Sequence, residues 1–349
     1  MTSAWKRRSG ARTYARSVTR SRTASRLLPL LAVALLATGL LAGCGTGGDA
    51  PNGRDTSLVL DFTPNAVHAG IYLAVDRGFD GAEGIHLSVA PPGATTDALK
   101  ELLGGRADFA ILDIHDLALA RQKGSEVVGV VPLVQVPLAA VLTQPDVKTP
   151  KDLDGGRAGV TGLPSDEAVL DTVVRGGGGD PDRVKRVTIG FNAVAALVGG
   201  KVDAATAFWN VEGLAAKAKR PGIREFRVND YGAPSYPELV IAARQETIDE
   251  EPSVVKALLG TLRRGYTEAI SDPASAVSAM TRQVPGLNAK QLAEQLTAVS
   301  PSFTVGVKEF GAFNRAHLDA WSTWEAEVGI TKTPPDVPLT FWFGGTPTA

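Results

Sequence analysis

Cysteine is almost absent from this sequence: Cys44 is the only one in 349 residues. A disulfide framework needs at least two and a thiolate zinc site needs more, so both are excluded. Everything after residue 44 also lacks a cysteine nucleophile. Histidine is nearly as scarce. The four lie at 68, 86, 115 and 317, with no His-x-x-x-His or Glu-x-x-His spacing, which argues against a structural metal. Acidic residues are missing from the first 43 positions, whereas residues 1–26 hold eight basic ones (Lys6, Arg7, Arg8, Arg12, Arg16, Arg20, Arg22 and Arg26). The apolar run that follows, 27–41, is about fifteen residues, too short to span a bilayer comfortably as a permanent helix.

A basic stretch, a short apolar stretch and a close on small residues are the parts of a secretory signal. The run ends in Leu41-Ala42-Gly43-Cys44, which resembles the lipobox of bacterial lipoproteins. The expectation is that 1–43 is a signal peptide and that Cys44 is acylated, palmitate included. The chain would then be held at the extracytoplasmic face of the cell membrane, stably if more than one acyl chain is attached. Arg7-Arg8 hints at twin-arginine export, but the following residues do not continue that pattern, so the Sec and Tat routes both stay open. Residues 44–56, with four glycines and no apolar side chain that could pack after Cys44, read as a flexible tether.

Loss of 1–43 leaves 28 basic against 37 acidic residues, a formal charge of −9. Such a surface repels phosphates and excludes nucleic acid as a partner. Roughly 290 residues after the tether are too many for one small core and suit two lobes.

Short apolar, β-branched runs recur at 58–62, 85–89, 109–112, 127–131, 139–142, 159–161, 187–189, 204–208 and 239–243. Segments with helical spacing lie between many of them, near 68–77, 95–103, 115–122, 165–175, 193–198, 211–219, 253–270, 274–283 and 289–299. This alternation predicts an α/β fold with largely parallel sheets. Ser165 is placed as the N-cap of its helix, with Asp166 and Glu167 in the first turn. A last helix is predicted over 308–328. Its stripe of Phe310, Phe313, His317, Trp321 and Trp324 reads as a packing face rather than a ligand box. The glycine run at 176–179 lacks the Lys-Ser/Thr of a phosphate loop and reads as a helix-ending turn.

Ligands of open α/β sheets lie beyond the C-terminal ends of the strands. The loops there are Asp61-Phe62-Thr63-Pro64-Asn65-Ala66-Val67-His68, Asp113-Ile114-His115-Asp116, Gly162-Leu163-Pro164-Ser165 and Phe208-Trp209-Asn210-Val211-Glu212. They offer aromatic faces, amides, carboxylates and a helix N-terminus. That set suits a flat, neutral or cationic heteroaromatic ligand, with rings stacking on Phe62, Trp209 or Tyr236 and amides or carboxylates pairing with ring nitrogens and exocyclic amines. Each residue also has a structural reading. Asp61 and Asp113 suit turns or helix caps, His68 and His115 helix starts, Trp209 an interlobe core, and Glu238 a crossover.

These segments, together with Gly104-Gly105-Arg106-Ala107-Asp108-Phe109, Gly200-Lys201-Val202-Asp203-Ala204, Trp209-Asn210-Val211-Glu212-Gly213 and Tyr236-Pro237-Glu238-Leu239-Val240, resemble the NMT1/THI5-like substrate-binding family over about 58–276. The resemblance implies a type II periplasmic-binding-protein fold, two α/β lobes joined by two crossovers. Lobe I would be 57–142 plus 241–349 and lobe II 143–240, with crossovers near 142–147 and 235–241. It implies a monomeric receptor that delivers a small molecule to an ABC permease and its ATPase, without a cofactor. The most similar branch carries thiamine-pyrimidine precursors; riboflavin and sulfonate-, nitrate- or taurine-type solutes are the alternatives. By position, Phe62, Asn65, His68, Trp209, Asn210, Glu212, Tyr236 and Glu238 would contact the ligand, and Asp61, Asp113, His115, Pro164 and Ser165 join them from the loops. Pyrimidine-binding members usually carry Trp where this chain has Phe62. None of the four loops offers the Arg or Lys that an anion would want.

The superfamily also holds a pyrimidine synthase, whose branch carries a cofactor-binding lysine four residues before the histidine equivalent to His115, and a cysteine-rich iron motif. Here that position is Ile111 and Cys44 stands alone, so neither group can form. The sequence therefore predicts a binding protein rather than a surface-anchored enzyme.

Overall fold

The computed structural model describes residues 53–93 and 97–344. The expected signal segment and Cys44 lie outside them. Ten strands build two five-stranded sheets. The first contains β1 (Arg54–Val59), β2 (Ile85–Ala90), β3 (Phe109–Asp113), β4 (Val127–Pro132) and β10 (Leu239–Arg244), in the order β2-β1-β3-β10-β4. The second contains β5 (Ala139–Thr143), β6 (Arg157–Val160), β7 (Lys185–Thr188), β8 (Ala204–Phe208) and β9 (Arg224–Arg227), in the order β7-β6-β8-β5-β9.

The two sheets follow one plan. β1 runs parallel to β2 and β3, and β6 parallel to β7 and β8. In each sheet one strand is inserted antiparallel to both neighbours, β10 between β3 and β4 and β5 between β8 and β9. The sheets are therefore mixed, because each takes one strand from the chain arriving from the other lobe. The passages between sheets fall at 133–138 and 232–238. The first lies ahead of the expected 142–147, since Leu142 is already in the second sheet, paired with Ala205 and Glu225. The second ends before Leu239, which opens β10.

Burial follows the layering. β4 is buried along its whole length, and β3 except at Asp113, as expected of strands covered by helices on both faces. Edge strand β7, Lys-Arg-Val-Thr, is exposed or half-buried throughout and carries charge, which protects an open edge. The first strand begins earlier than the tether reading allowed. Arg54, Asp55 and Thr56 pair with Ile85, His86 and Leu87, and the Arg54 guanidinium meets Glu251 at 2.6 Å and Asp108 at 2.9 Å.

Two further expectations change. The helix expected at 308–328 is Arg315–Glu327, and a short one, Val337–Thr340, follows it. Gly311, at φ +78°, breaks helical geometry, and Asn314 caps the true start by accepting from the His317 amide at 3.2 Å. The aromatic stripe nevertheless lies in the core, with Phe310, Phe313 and Trp321 almost wholly buried. In helix Pro164–Gly176 the N-cap is Leu163, not Ser165, because Pro164 takes the first helical position. Among the described residues no helix is long and apolar enough to cross a membrane.

One helix contact positions the first site loop. Helix Pro252–Ser271 buries Val255, Leu258, Leu259, Leu262, Tyr266 and Ala269 at three- and four-residue steps. It crosses helix Ala69–Asp76 so closely that a Cβ on Gly265 would sit 2.1 Å from the Gly70 carbonyl oxygen. Tyr266 lies in the same contact and donates from its hydroxyl to the Val67 carbonyl at 2.6 Å, fixing the segment before the helix. Gly265→Ala should therefore destabilise the fold by about 1–3 kcal/mol through overpacking; an unchanged midpoint in thermal or urea unfolding would contradict this packing.

Candidate functional site

A cleft of about 350 Å³ opens between the sheets, walled by the loops that leave the C-terminal ends of β1, β3, β6, β7 and β8. Seven of the expected site residues line it: Asp61, Phe62, Asn65, Asp113, Ser165, Asn210 and Glu212. His68, His115, Pro164, Trp209, Tyr236 and Glu238 do not; they stand behind the wall or beside it, and each has a structural reason.

The β1 loop is held from beneath. Asn65 caps the short helical turn Ala66–His68, its Oδ1 accepting from the Val67 amide at 3.0 Å and its Nδ2 donating to the Thr63 carbonyl at 3.1 Å. The Asn65 amide donates to His68 Nδ1 at 3.2 Å, so the ring proton sits on Nε2 and is directed at Asp61 Oδ1, 2.8 Å away. His68 is fully buried and aims Asp61 into the cleft.

The β8 loop owes its shape to a π-helical turn, Trp209–Gly213. The wide turn presents Asn210, Val211 and Glu212 to the cleft and turns Trp209 away. Trp209 packs on the first crossover instead. Its indole nitrogen donates to the Pro137 carbonyl at 3.1 Å, and the Arg227 guanidinium lies 3.8 Å from the ring centre. Asn210 has no exposed surface, and neither its amide oxygen nor its amide nitrogen has a partner. Burial pushes the Glu212 carboxyl up, and the charge of Asp61 adds to the effect.

The β6 loop turns at Gly162, φ +101°, into helix Pro164–Gly176. Pro164 is exposed beside the cleft and Ser165 borders it.

Glu238, Tyr236 and His115 meet where the two crossovers run side by side. The Glu238 carboxylate accepts from the Leu138 amide at 2.7 Å and the Ala139 amide at 3.0 Å, which ties the second crossover to the end of the first. The Glu238 carbonyl accepts from the Ile114 amide at 2.9 Å. His115 Nδ1 donates to Glu325 Oε2 at 2.7 Å, and its Nε2 lies 3.3 Å from the Tyr236 hydroxyl and 3.8 Å from Glu238 Oε1. Tyr236 also stacks on Trp324 with ring centres 5.6 Å apart. Asp113 caps the following helix by accepting from the His115 amide at 2.8 Å. Asp113, His115 and Glu238 bring their donor atoms within 4.8 Å of one another, a spacing a cation could use. The imidazolium already fills that role: burial alone would lower its pKa, but Glu325, Asp113 and Glu238 outweigh it and push His115 up to about 10. Burial raises Glu238 and, more strongly, Asp113, in both cases against the pull of His115.

Residues that the loop argument missed also border the cleft. Phe191, on the loop after β7, faces Phe62 across the opening with ring centres 6.1 Å apart. It is 51% exposed, and it lies on the loop after the apolar run 187–189, which was not among the four site loops. Lys100 borders the cleft from helix Asp97–Leu103, so a cation is present after all, outside the four loops. Asp116 and Asp166 complete a wall of five carboxylates, with Asp61, Asp113 and Glu212, against that one lysine among the described residues.

Two sheets of this order, exchanging one strand each across a double crossover with a cleft between them, define the type II periplasmic-binding-protein fold. The aliphatic sulphonate binding protein SsuA of Escherichia coli superimposes with a TM-score of 0.68 at 17% identity, over 83% of this chain and 98% of that one. The chain belongs to the NMT1/THI5-like family, whose profile matches residues 65–276. Among its relatives, a formylaminopyrimidine-binding protein of Halalkalibacterium halodurans is 32% identical over 70% of this chain and 76% of its own length. A 4-amino-5-hydroxymethyl-2-methylpyrimidine phosphate synthase of Legionella pneumophila is 23% identical over 71% of this chain and 79% of its own.

The hinge network makes stability depend on pH. His115 titrates near 6.5 when unfolded and near 10 when folded, so its contribution is complete below about pH 6.5 and lost as pH rises toward 10. The raised carboxyls of Asp113 and Glu238 act in the same direction at lower pH. The denaturation midpoint should fall between pH 6.5 and 10, and His115→Gln should flatten that part of the profile; a wild-type profile flat across this window would refute the assignment.

Proposed function

We propose that this chain is the extracytoplasmic receptor of an ABC importer and closes on a small aminopyrimidine of the thiamine-precursor type. The observation that carries the reading is Asn210: a wholly buried amide on the cleft wall with both its donor and its acceptor unused. An orphaned amide in the interior costs about 1–3 kcal/mol for each missing hydrogen bond, so a site that retains one is built for a ligand that supplies it. Adjacent donor and acceptor groups match the edge of an aminopyrimidine, where a ring nitrogen accepts and the exocyclic amine donates. Glu212, raised by burial, stands two residues further along the same turn and adds a second polar contact. Phe62 and Phe191 supply aromatic faces at the opening. The formylaminopyrimidine-binding relative supports the same ligand class.

An anionic solute fits poorly, because five carboxylates and one lysine make the cleft negative. A synthase fits poorly as well. Ile111, the position where the family's enzymatic branch needs its lysine, is a fully buried residue of β3. Binding rather than turnover is therefore the activity we assign. Its mechanism is closure about the Glu238 hinge: both lobes touch the ligand only when shut, so binding shifts the population toward the form a permease recognises. The lipid on Cys44 would keep the receptor beside that permease.

Calorimetric titration with 4-amino-5-hydroxymethyl-2-methylpyrimidine and its formylamino analogue tests the ligand class. Asn210→Ala should weaken binding by roughly 10- to 100-fold, about 1.4–2.8 kcal/mol; the same dissociation constant in the variant would remove Asn210 from the site. For the anchor, Cys44→Ser should move the protein from the membrane fraction to the soluble one, and full membrane retention would sink the lipoprotein assignment.

A further inference from the structure

We infer that Phe191 is a further residue of the binding machinery: it meets Phe62 over the mouth of the cleft, and this ring-to-ring contact between the lobes holds the bound ligand in. The inference rests on the aminopyrimidine reading above and adds the contact that retains the ligand. Phe62 follows β1 on the first lobe and Phe191 follows β7 on the second, and both border the cleft. Their ring centres lie 6.1 Å apart with planes inclined at 39°, within the range of interacting aromatic pairs. Among the described residues it is the one aromatic pair that joins the two lobes across the cleft.

Phe191 is also the only exposed aromatic side chain among the described residues; every other Phe, Tyr and Trp there is buried or half-buried. Its loop is short and tied at both ends. The Ile189 amide donates to the Val160 carbonyl at 2.9 Å, the Asn192 side chain donates back to the Ile189 carbonyl at 3.1 Å, and Ala193 opens the next helix. A braced loop thus displays the ring at the mouth.

The geometry separates this role from stacking on the ligand. A third ring slipped between Phe62 and Phe191 needs two gaps of about 3.5–4.0 Å, about 7–8 Å in all, and near-parallel planes. The observed pair is closer and tilted, so the two rings face each other. The depth of the polar groups points the same way. Asn210, with both amide groups unused, has no exposed surface, whereas Phe191 is 51% exposed. A pyrimidine edge paired with Asn210 therefore lies inward of the aromatic pair, which parts to admit the ligand and rejoins behind it. Because one ring rides on each lobe, rejoining is the same movement as closure.

The test is a double-mutant cycle on the rate at which the purified protein releases 4-amino-5-hydroxymethyl-2-methylpyrimidine, measured by surface plasmon resonance. Phe191→Ala should speed release about two- to tenfold, the worth of one aromatic pair, and change association little, since the pair forms after entry. In a Phe62→Ala background the same change should have no further effect. Phe191→Tyr, which keeps the ring, should restore slow release. The side chain is exposed, so its truncation leaves the core intact. Unchanged release in Phe191→Ala, an equal acceleration with and without the Phe62 ring, or fast release in Phe191→Tyr overturns the inference while the aminopyrimidine reading stands. No binding of the compound to the wild-type protein overturns both.

Discussion

The structure depends on one buried cation. His115 sits among Asp113, Glu238 and Glu325, whose carboxylates outweigh the cost of burial and push its pKa up to about 10. Around it meet the start of helix Ile114–Gln122, the ends of both crossovers and helix Arg315–Glu327. The carboxylate of Glu238 is the joint itself, since it binds the Leu138 and Ala139 amides while facing the imidazolium. Breaking a buried pair of this kind leaves an uncompensated charge, which costs far more than the pair contributes when intact. The crossovers thus have one well-defined resting geometry, and the loops on either side are held in register by it.

From that fixed hinge the cleft takes its chemistry. One stretch of wall, the π-helical turn with Asn210 and Glu212, offers paired hydrogen-bonding groups in dry surroundings. Asp61, Asp113, Asp116 and Asp166 add carboxylates elsewhere on the wall. The rings of Phe62 and Phe191 stand at the opening, one from each lobe. The support behind these surfaces is specific as well: His68 aims Asp61, and Trp209 braces the turn by gripping the Pro137 carbonyl. Several residues that the family resemblance marks as contacts therefore act here through the residues they hold.

The sequence made the strand ends legible because a parallel strand followed by a helix leaves its loop on a predictable side of the sheet. That rule puts Asp61, Asn65, Asp113, Asn210 and Glu212 at the strand ends where the cleft lies. It could not say which side chain of a loop points inward, since a π-turn and an α-turn share the same residues yet rotate Trp209 and Asn210 differently. Nor could it locate the crossovers. The apolar runs of β5 and β10 look like any other buried strand, and only hydrogen bonding shows that each belongs to the sheet of the other half of the chain. The aromatic period extends back through Gly311 because packing preserves the stripe ahead of the helix, which starts only at Arg315.

The exchange of β5 and β10 also sets the order in which the molecule can be assembled. β3 and β4 are not neighbours; β10 lies between them and arrives about a hundred residues later in the chain. Until then β3 and β4 have no strand between them and cannot satisfy their backbone groups on that side. A ribosome would therefore release most of this chain before its first sheet could be completed. Strand exchange between the sheets thus makes completion of the first sheet wait on a segment that follows the whole of the second one in the chain.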